Sequence, residues 1–396
     1  MIALFEYYIY LVMFILPLYV VRFSFLSIPT TLLEILVLFF IIAFFLWSMV
    51  IKRKFKFNNA FLLPIILFSF ASLAGLAIAP DKFSALGIIK SWIIEPIIFF
   101  FILINVIDSK QKIENLILSL GASAAALSIY SIIQYSLGYF TSDKRAITFF
   151  ETPNYLAMYI VPIIILQIGL AFFGLGKRRV LSIVFFLLSL FGLILSKSYG
   201  GFLGFFAGIS FLLFLVPYKN KRVITALFAL FVIGLFFWQI PTKKFQNLFN
   251  LNQHTSLSSR LEIWNASVLM IKDHLVLGIG LGNFKKSYHD YVVKALGKAP
   301  YEWSVILPHN LYLAFWLNLG ILGLIAFIWL LVIFFKSGFI IAKAYPLSLA
   351  IMASMVAILA HGLVDTPYWK NDLSIFFWIL LVSIESLRKL YVQNSN

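Results

Sequence analysis

Long apolar runs alternate with short polar breaks along the whole chain, and this pattern predicts a polytopic membrane protein. Each run approaches the roughly 20 residues that a helix needs to cross a bilayer. The runs are continuous rather than alternating, so we predict helices and exclude a transmembrane β-barrel. The twelve predicted spans cover residues 3–21, 30–51, 60–79, 86–106, 115–138, 153–174, 180–196, 201–217, 223–240, 309–335, 346–364 and 372–388.

The segment 241–308 is the one long stretch that is not uniformly apolar. It stands between the ninth and tenth predicted spans and ends directly before His309-Asn310. We therefore predict an all-α fold with a single membrane domain over residues 1–396 and a helical extracytoplasmic segment inserted at 241–308.

Composition agrees with a membrane protein, because 62% of the residues are hydrophobic and 12% are charged. The net charge of +16 is explained by basic loops on the cytoplasmic side rather than by nucleic-acid binding. With twelve spans, these loops share one side, which puts both termini in the cytoplasm and 241–308 outside. The basic residues concerned are Lys52, Arg53, Lys54, Lys56, Lys177, Arg178, Arg179, Lys219, Lys221, Arg222, Lys336, Lys343, Arg388 and Lys389.

Metal and redox chemistry have little support in the sequence. There is no cysteine, which excludes disulfides, thiolate zinc sites and iron–sulfur clusters. No predicted outer loop holds a D-x-D pair, so a divalent-metal glycosyl-transfer site is not predicted. Asp273-His274 and His289-Asp290 lack metal-ligand spacing and are interpreted as solvated helix ends.

Two amphipathic helices are predicted inside 241–308. Ser259-x-x-Glu262 is a capping-box pattern, so the first helix should begin there and end near His274. The second should cover about 283–296. Such helices lie on the bilayer surface or cap a cavity. The predicted apolar faces consist of Leu261, Trp264, Val268 and Ile271 in the first helix and Phe284, Tyr288, Tyr291 and Val292 in the second.

Arg260 and His309 are the candidates for chemistry. Arg260 would stand in the first helical turn, where a cation is unfavourable unless an anion is present. The alternative is a surface arginine that is solvated or paired with Glu262. His309 starts the tenth span and is suited to accept a proton, while Asn310 can cap the helix. The alternative is an interfacial histidine that only forms hydrogen bonds.

Three further features have structural or open interpretations. Gly320-x-x-Gly323 would let a neighbouring helix approach closely. The glycines at 278, 280 and 282 follow a helix rather than a strand, so a dinucleotide site is not predicted. Glu95 lies inside an apolar run and is either functional or paired with Lys90.

Several of these motifs together resemble the O-antigen ligase family. They are RLEIW at 260–264, DHL at 273–275, GIGLGNF at 278–284, PNYLA at 153–157, the turn at Asp365, and His309-Asn310 followed after nine residues by Gly320-x-x-Gly323. The superfamily also contains O-antigen polymerases and O-linked protein oligosaccharyltransferases, which these motifs do not separate.

The resemblance implies a metal-independent, inverting transfer of a glycan from a polyprenyl-diphosphate carrier, without a cofactor. It gives His309 the acceptor hydroxyl and Arg260 the diphosphate, with Asn310 and Asn154 supporting the substrate site. The family often has Ser-Arg-Gly where this chain has Ser-Tyr-Gly around Tyr199. The second diphosphate-binding cation is therefore expected from Arg145 or Lys197.

We accordingly predict a membrane glycosyltransferase of the ligase type in the bacterial inner membrane, with its active site on the periplasmic face. Its partners would be the lipid-linked donor, a glycan or glycolipid acceptor such as a lipid A core, and membrane lipids, but no nucleic acid. One alternative is a polymerase that uses the same donor. Another is a transporter or flippase of lipid-linked glycans, although the polar residues cluster at one outer face and no inverted repeat is evident.

Overall fold

The computed structural model describes residues 2–25, 28–52, 55, 57, 59–216, 221–246 and 254–395, and it is largely helical. A helix covers each predicted span within the described residues, and the outer segment adds three more, α11 to α13. The helices are α1 Ile2–Ile15, α2 Leu32–Val50, α3 Leu62–Ile78, α4 Lys82–Ile89, α5 Glu95–Val106, α6 Lys110–Ser136, α7 Pro153–Phe173, α8 Gly176–Ser196, α9 Tyr199–Leu215, α10 Lys221–Gln239, α11 Lys243–Gln246, α12 Ser256–Asp273, α13 Phe284–Leu296, α14 Leu311–Ile341, α15 Leu347–His361 and α16 Asn371–Ser395.

Length and apolar composition confirm an all-α membrane protein. Among the described residues, seven helical stretches are long and apolar enough to cross a membrane, including Lys82–Val106, where a π-helical turn at Lys90–Ile94 joins α4 to α5. The apolar helices α3, α9 and α15 are shorter. The count of twelve spans and their orientation stay predictions.

A small β-hairpin departs from the purely helical prediction. After a 3₁₀ turn at Leu16–Val20, strand β1 (Arg22–Phe25) pairs antiparallel with β2 (Ile28–Thr31). The sequence Arg-Phe-Ser-Phe alternates polar and apolar residues, which suits a strand rather than a helix. The hairpin leads directly into α2. Thr31, the last residue of β2, is also the N-cap of that helix, and its side chain accepts the Glu34 amide.

The helices of the outer segment have a core of their own, separate from the main membrane core. α12 packs on α13 through buried side chains at helical spacing, and residue 317 of α14 joins this cluster. The buried side chains of the two helices are Ile263, Ala266, Met270, Ile271, Phe284, Tyr288 and Val292. On α13 the predicted apolar face is largely confirmed, whereas on α12 Val268 is 45% exposed and the stripe runs through Ile263 and Met270.

The predicted start of α12 is wrong by four residues, because Ser259 was expected as the N-cap. Thr255 is the N-cap, and its side chain forms a capping box with Ser258. Glu262 does not cap the helix; it accepts the Tyr301 amide at 2.8 Å and pairs with Lys298 at 3.4 Å. Thr255-x-x-Ser258 satisfies the same physical requirement earlier in the chain. The predicted end near His274 is confirmed.

α14 is not the continuous helix that the sequence predicts, because it breaks at Gly320 (φ 68°, ψ −174°). The rings of Phe315 and Phe327 stack with centroids 4.1 Å apart. Twelve residues would separate them by about 18 Å in a straight helix, so the halves 311–319 and 321–341 bend back toward each other.

Backbone from the outer segment fills the break in α14. The Ile279 amide donates to the Leu317 carbonyl at 2.8 Å, and the Ile321 amide donates to the Val276 carbonyl at 3.0 Å. A Cβ on Gly320 would lie 2.1 Å from the Val276 oxygen. The predicted close approach at Gly320 is therefore made by this loop rather than by a neighbouring helix.

Glu95 had two interpretations, a functional group or a partner of Lys90, and the structure does not form the second. The Lys90 ammonium instead lies 2.5 Å from a carboxylate oxygen of Glu34. The second Glu34 oxygen accepts the Asn371 side-chain amide at 2.6 Å. This buried carboxylate therefore joins α2, the π-helical turn and α16.

Candidate active site

Asp365 is the centre of a polar cluster where α15 ends. Its side chain is 3% exposed, and each of its oxygens faces two donors. Oδ1 lies 3.1 Å from His309 Nδ1 and 3.2 Å from the Thr366 amide. Oδ2 lies 3.3 Å from Asn154 Nδ2 and 3.6 Å from Arg260 Nη2. The structure thus brings Asn154, Arg260 and His309, which are far apart in the sequence, together around Asp365.

His309 is held in a tight turn ahead of α14 and has a left-handed backbone (φ 46°). Asn310 caps α14 by accepting two amides, as predicted, and its Nδ2 donates to the Leu363 carbonyl at 3.0 Å. From α12, the Trp264 indole N–H donates to the Pro308 carbonyl at 3.1 Å. These bonds tie the turn to the loop after α15 and to the outer segment.

Arg260 reaches the same cluster from α12. Its Nε donates to the Val364 carbonyl at 2.7 Å, and its Nη1 donates to the Ser256 carbonyl at 3.2 Å. Because α12 begins at Ser256, Arg260 lies in the second turn rather than the first. The predicted position in the first turn and the alternative pairing with Glu262 are therefore wrong, whereas the contact of Arg260 with a diphosphate stays a prediction. Arg260 instead lies beside the buried carboxylate of Asp365.

Arg145 and Asn154 extend the cluster on the other side of Asp365. Arg145 Nη2 donates to Asn154 Oδ1 at 2.7 Å, and its Nε donates to the Ser196 carbonyl at 2.7 Å. The Ser198 hydroxyl also donates to Asn154 Oδ1, at 3.1 Å. A guanidinium from the loop before α7 thus lies near the position where the family often has its second arginine.

The other residues of the turn between α8 and α9 have different surroundings. Tyr199 directs its hydroxyl to Gln239 Oε1 at 3.3 Å. Lys197 ends α8 in a left-handed conformation (φ 45°), between Ser196 and Ser198 of the cluster. Its predicted contact with a diphosphate stays a prediction.

The charges around Asp365 favour its ionised form. Burial by itself raises the pKa of this carboxyl, but the hydrogen bond from His309 and the positive charges of His309 and Arg260 outweigh it and hold the pKa below its ordinary range. Burial lowers the pKa of the Arg145 guanidinium, and the neighbouring Arg260 charge adds to this effect. Arginine nevertheless keeps its charge in proteins.

The geometry fixes the chemistry that His309 can perform. A carboxylate only accepts hydrogen bonds, so Nδ1 of a neutral His309 must carry the proton. The lone pair is then on Nε2, the other ring nitrogen, and the side chain is 35% exposed. His309 is therefore prepared to accept a proton from an incoming group at Nε2, with Asp365 stabilising the resulting imidazolium.

Asp365 is the residue that sequence reasoning missed, although the turn was placed at the outer face. A usable signal existed, because an aspartate directly after the eleventh predicted span and a histidine directly before the tenth belong to one membrane face. No group of three His, Cys, Asp or Glu side chains suited to a metal ion occurs in the part of the chain that the structure describes.

The fold and the cluster define a multi-pass membrane protein with an Asp–His pair flanked by two arginines. A family model described as O-antigen ligase matches residues 184–328, which confirms the resemblance of this chain to that family. The matched region contains Arg260 and His309, whereas Asp365, Arg145 and Asn154 lie outside it.

One curated protein, an uncharacterized protein of Haemophilus influenzae (strain ATCC 51907 / DSM 11121 / KW20 / Rd), is 28% identical over 168 residues. The aligned region covers 38% of this chain and 41% of that protein. The chain therefore spans about two fifths of the length of this relative, and the match does not indicate an activity.

Proposed function

We propose that this protein is a membrane glycosyltransferase that moves a glycan from a polyprenyl-diphosphate carrier to a sugar hydroxyl. The family match supports an enzyme of the ligase or polymerase type. The observation that carries the more specific proposal is the convergence of His309 and Arg260 on the buried carboxylate of Asp365, at 3.1 and 3.6 Å.

His309 acts as the general base in this mechanism. The acceptor hydroxyl gives its proton to Nε2 while its oxygen forms a bond to the anomeric carbon of the donor. The bond from that carbon to the diphosphate oxygen breaks, and the polyprenyl diphosphate leaves with the electron pair. Attack opposite the leaving group inverts the anomeric configuration. Asp365 keeps the Nδ1 proton in place and offsets the positive charge that His309 gains.

Arg260 and Arg145 stabilise the diphosphate as it departs. Both side chains are largely buried, with exposed fractions of 15% and 14%, and both are anchored through Nε to backbone carbonyls. Fixed cations of this kind lose little freedom when the negative charge develops. The family's second arginine would stand at the position of Tyr199, and we therefore assign its role to Arg145. Lys197 is a further cation at the turn that holds Tyr199.

The proposed topology has twelve spans, with both termini in the cytoplasm and residues 241–308 outside. This puts the cluster on the periplasmic face of the bacterial inner membrane, where Asn310 and Asn154 support the substrate site. Basic residues in the short loops support this orientation. A glycolipid such as a lipid A core would approach the site from the same side.

A polymerase that adds repeat units to the same donor is the second candidate, and the family match supports it equally. A flippase is less well supported, because the Asp365 cluster lies at the ends of helices rather than near their middle. Transport would need polar groups along a path between the two faces.

The test is a transfer assay with the purified chain in lipid nanodiscs and a defined undecaprenyl-diphosphate oligosaccharide. A core glycolipid and a second copy of the donor serve as alternative acceptors, with and without EDTA. Product on the glycolipid identifies a ligase, and lengthened donor identifies a polymerase. We expect transfer to persist in EDTA. Absence of both products from a folded protein, or a loss in EDTA that magnesium or manganese restores, would contradict the proposed reaction.

A further inference from the structure

A second candidate site lies at the far end of α12. An open cleft of about 590 Å³ separates the end of α3 from the loop after α12 and the first turn of α13. Asp273, at this end, stands thirteen positions after Arg260 on the helix, which corresponds to about 20 Å. The cleft is therefore distinct from the Asp365 cluster.

The cleft is lined by both polar and apolar residues. The polar residues are Lys272, Asp273, His274, Asn283 and Ser287. The apolar residues are those at 78, 80, 275–277 and 279. Pockets of this size, with a few polar groups among apolar ones, are typical of sites for small ligand groups.

The polar side chains suit a neutral, hydroxyl-rich group better than a phosphate. Lys272 and Asp273 are one cation and one anion, so the lining has no excess of positive charge to hold an anion. Asp273 and the side-chain oxygen of Asn283 provide acceptors, and the Lys272 ammonium provides donors. The Asn283 NH₂ group is directed to the Ile279 carbonyl at 3.1 Å and to the Ser287 hydroxyl at 3.0 Å. Asp273 is itself oriented by the Tyr291 hydroxyl, which donates to Oδ2 at 2.8 Å. A sugar ring has the matching arrangement, with hydroxyls at its rim and C–H groups on its faces.

The cleft is preformed and adjoins an apolar surface. Its loop is held in the break of α14 by the Val276 and Ile279 backbone bonds, and the Trp316 indole donates to the Leu275 carbonyl at 2.8 Å. Directly after Lys272, Asp273 and His274 in the chain, Leu275, Val276 and Leu277 are 54%, 58% and 46% exposed. Three exposed apolar side chains in sequence are typical of a membrane contact.

We propose that this cleft binds a neutral sugar residue of a membrane glycolipid, with the lipid chain against Leu275, Val276 and Leu277. The site is a remote glycan subsite, several sugar units from the reacting centre. It rests on the proposed function only for the identity of the glycolipid, because the binding chemistry is read from the cleft itself.

Photo-crosslinking tests the binding directly. The purified chain in phosphatidylcholine nanodiscs is labelled with dodecyl glucoside, galactoside and mannoside probes that have a diazirine in the chain, and with dodecylphosphocholine that has the same diazirine. Peptide mass spectrometry then locates the label. We expect at least one glycoside to label residues 272–287 more than the phosphocholine probe does, and the free sugar to compete with it.

Two matched variants separate the cleft from the rest of the surface. Ser287→Trp fills the cleft and should lower glycoside labelling about 10-fold or more, whereas Ser304→Trp, at an exposed position outside the cleft, should not change it. His309→Ala should label like the wild type, so a failure of the catalytic proposal leaves this result intact. Equal labelling by phosphocholine without sugar competition, or no glycoside labelling of 272–287, would overturn the subsite.

Discussion

Asp365→Asn is the substitution that the site geometry constrains most closely. The side chain keeps its size but replaces one acceptor oxygen with an NH₂ donor. Oδ1 faces His309 and the Thr366 amide, while Oδ2 faces Asn154 and Arg260. Either orientation of an asparagine therefore directs its NH₂ group at donors. The variant cannot reproduce the hydrogen bonds of the carboxylate.

The size of the effect follows from the bond that is lost. A hydrogen bond to a charged group contributes about 1.5–3 kcal/mol, which corresponds to about 10- to 150-fold in rate. If the NH₂ group turns toward His309, it also favours the tautomer with the proton on Nε2, which cannot act as a base. Loss of tautomer control in a comparable histidine–aspartate pair lowers kcat by about 10⁴. We therefore expect a decrease in kcat of about 10²–10⁴.

The assay compares kcat and KM of the wild type, Asp365→Asn and Asp365→Glu in nanodiscs, with donor affinity measured separately. Asp365→Glu keeps the charge and should recover part of the activity, with donor affinity of both variants close to that of the wild type. Circular dichroism and thermal unfolding monitor the fold. Wild-type kcat in a folded Asp365→Asn protein would refute the assignment of Asp365 as the residue that positions His309.

The same variant has a signature in acid. The folded-state pKa of Asp365 is lowered, so its contribution to stability is present above the ordinary carboxyl pKa and is lost as the pH falls through the folded pKa. The difference in Tm between the wild type and Asp365→Asn should therefore shrink as the pH decreases below about 4. A difference that stays constant there would contradict an ionised Asp365.

Three further predictions concern the cluster, the break in α14 and the topology. Arg260→Ala should lower the transfer rate about 10- to 150-fold. Arg260→Lys should restore only part of the rate, because a point charge cannot replace the guanidinium fork. Equal rates for both variants and the wild type would exclude a role in diphosphate binding. Gly320→Ala should lower the free energy of unfolding by about 1–3 kcal/mol or more, since the backbone conformation of Gly320 is essentially restricted to glycine. Gly87→Ala serves as the control in thermal unfolding, because the space around its new methyl group is open. In this cysteine-free chain, a cysteine at Ser304 should react with an impermeant thiol reagent on intact cells and one at Lys177 should not; the reverse pattern would contradict the orientation.

The helices could be predicted from the sequence because lipid solvent imposes a simple rule. Continuous apolar runs must form helices to satisfy their backbone, and helices were found at all the predicted spans. The second outer helix was also predictable, since Phe284, Tyr288 and Val292 recur at helical spacing. Gly320 was not recognised as a break, because the conformation of a glycine depends on tertiary contacts, here the loop at Val276 that enters the gap.

The candidate site was only partly predictable for a related reason. His309 and Arg260 follow from motifs and from their position at the outer face. Their common partner, Asp365, depends on how α12, α14 and α15 pack, and spacing along the chain does not contain that information. Arg145 was one of two cations considered for the second place, and only the fold shows that its guanidinium reaches Asn154.

The most direct measurement for the catalytic proposal is the transfer rate of purified His309→Ala. Removing a general base lowers the rate by about 10²–10⁴, while helix content, abundance and donor affinity should stay close to the wild type. His309 supplies no large apolar contact, so the fold should tolerate the change. A folded His309→Ala protein that transfers glycan at the wild-type rate would contradict the account and leave His309 as an interfacial residue.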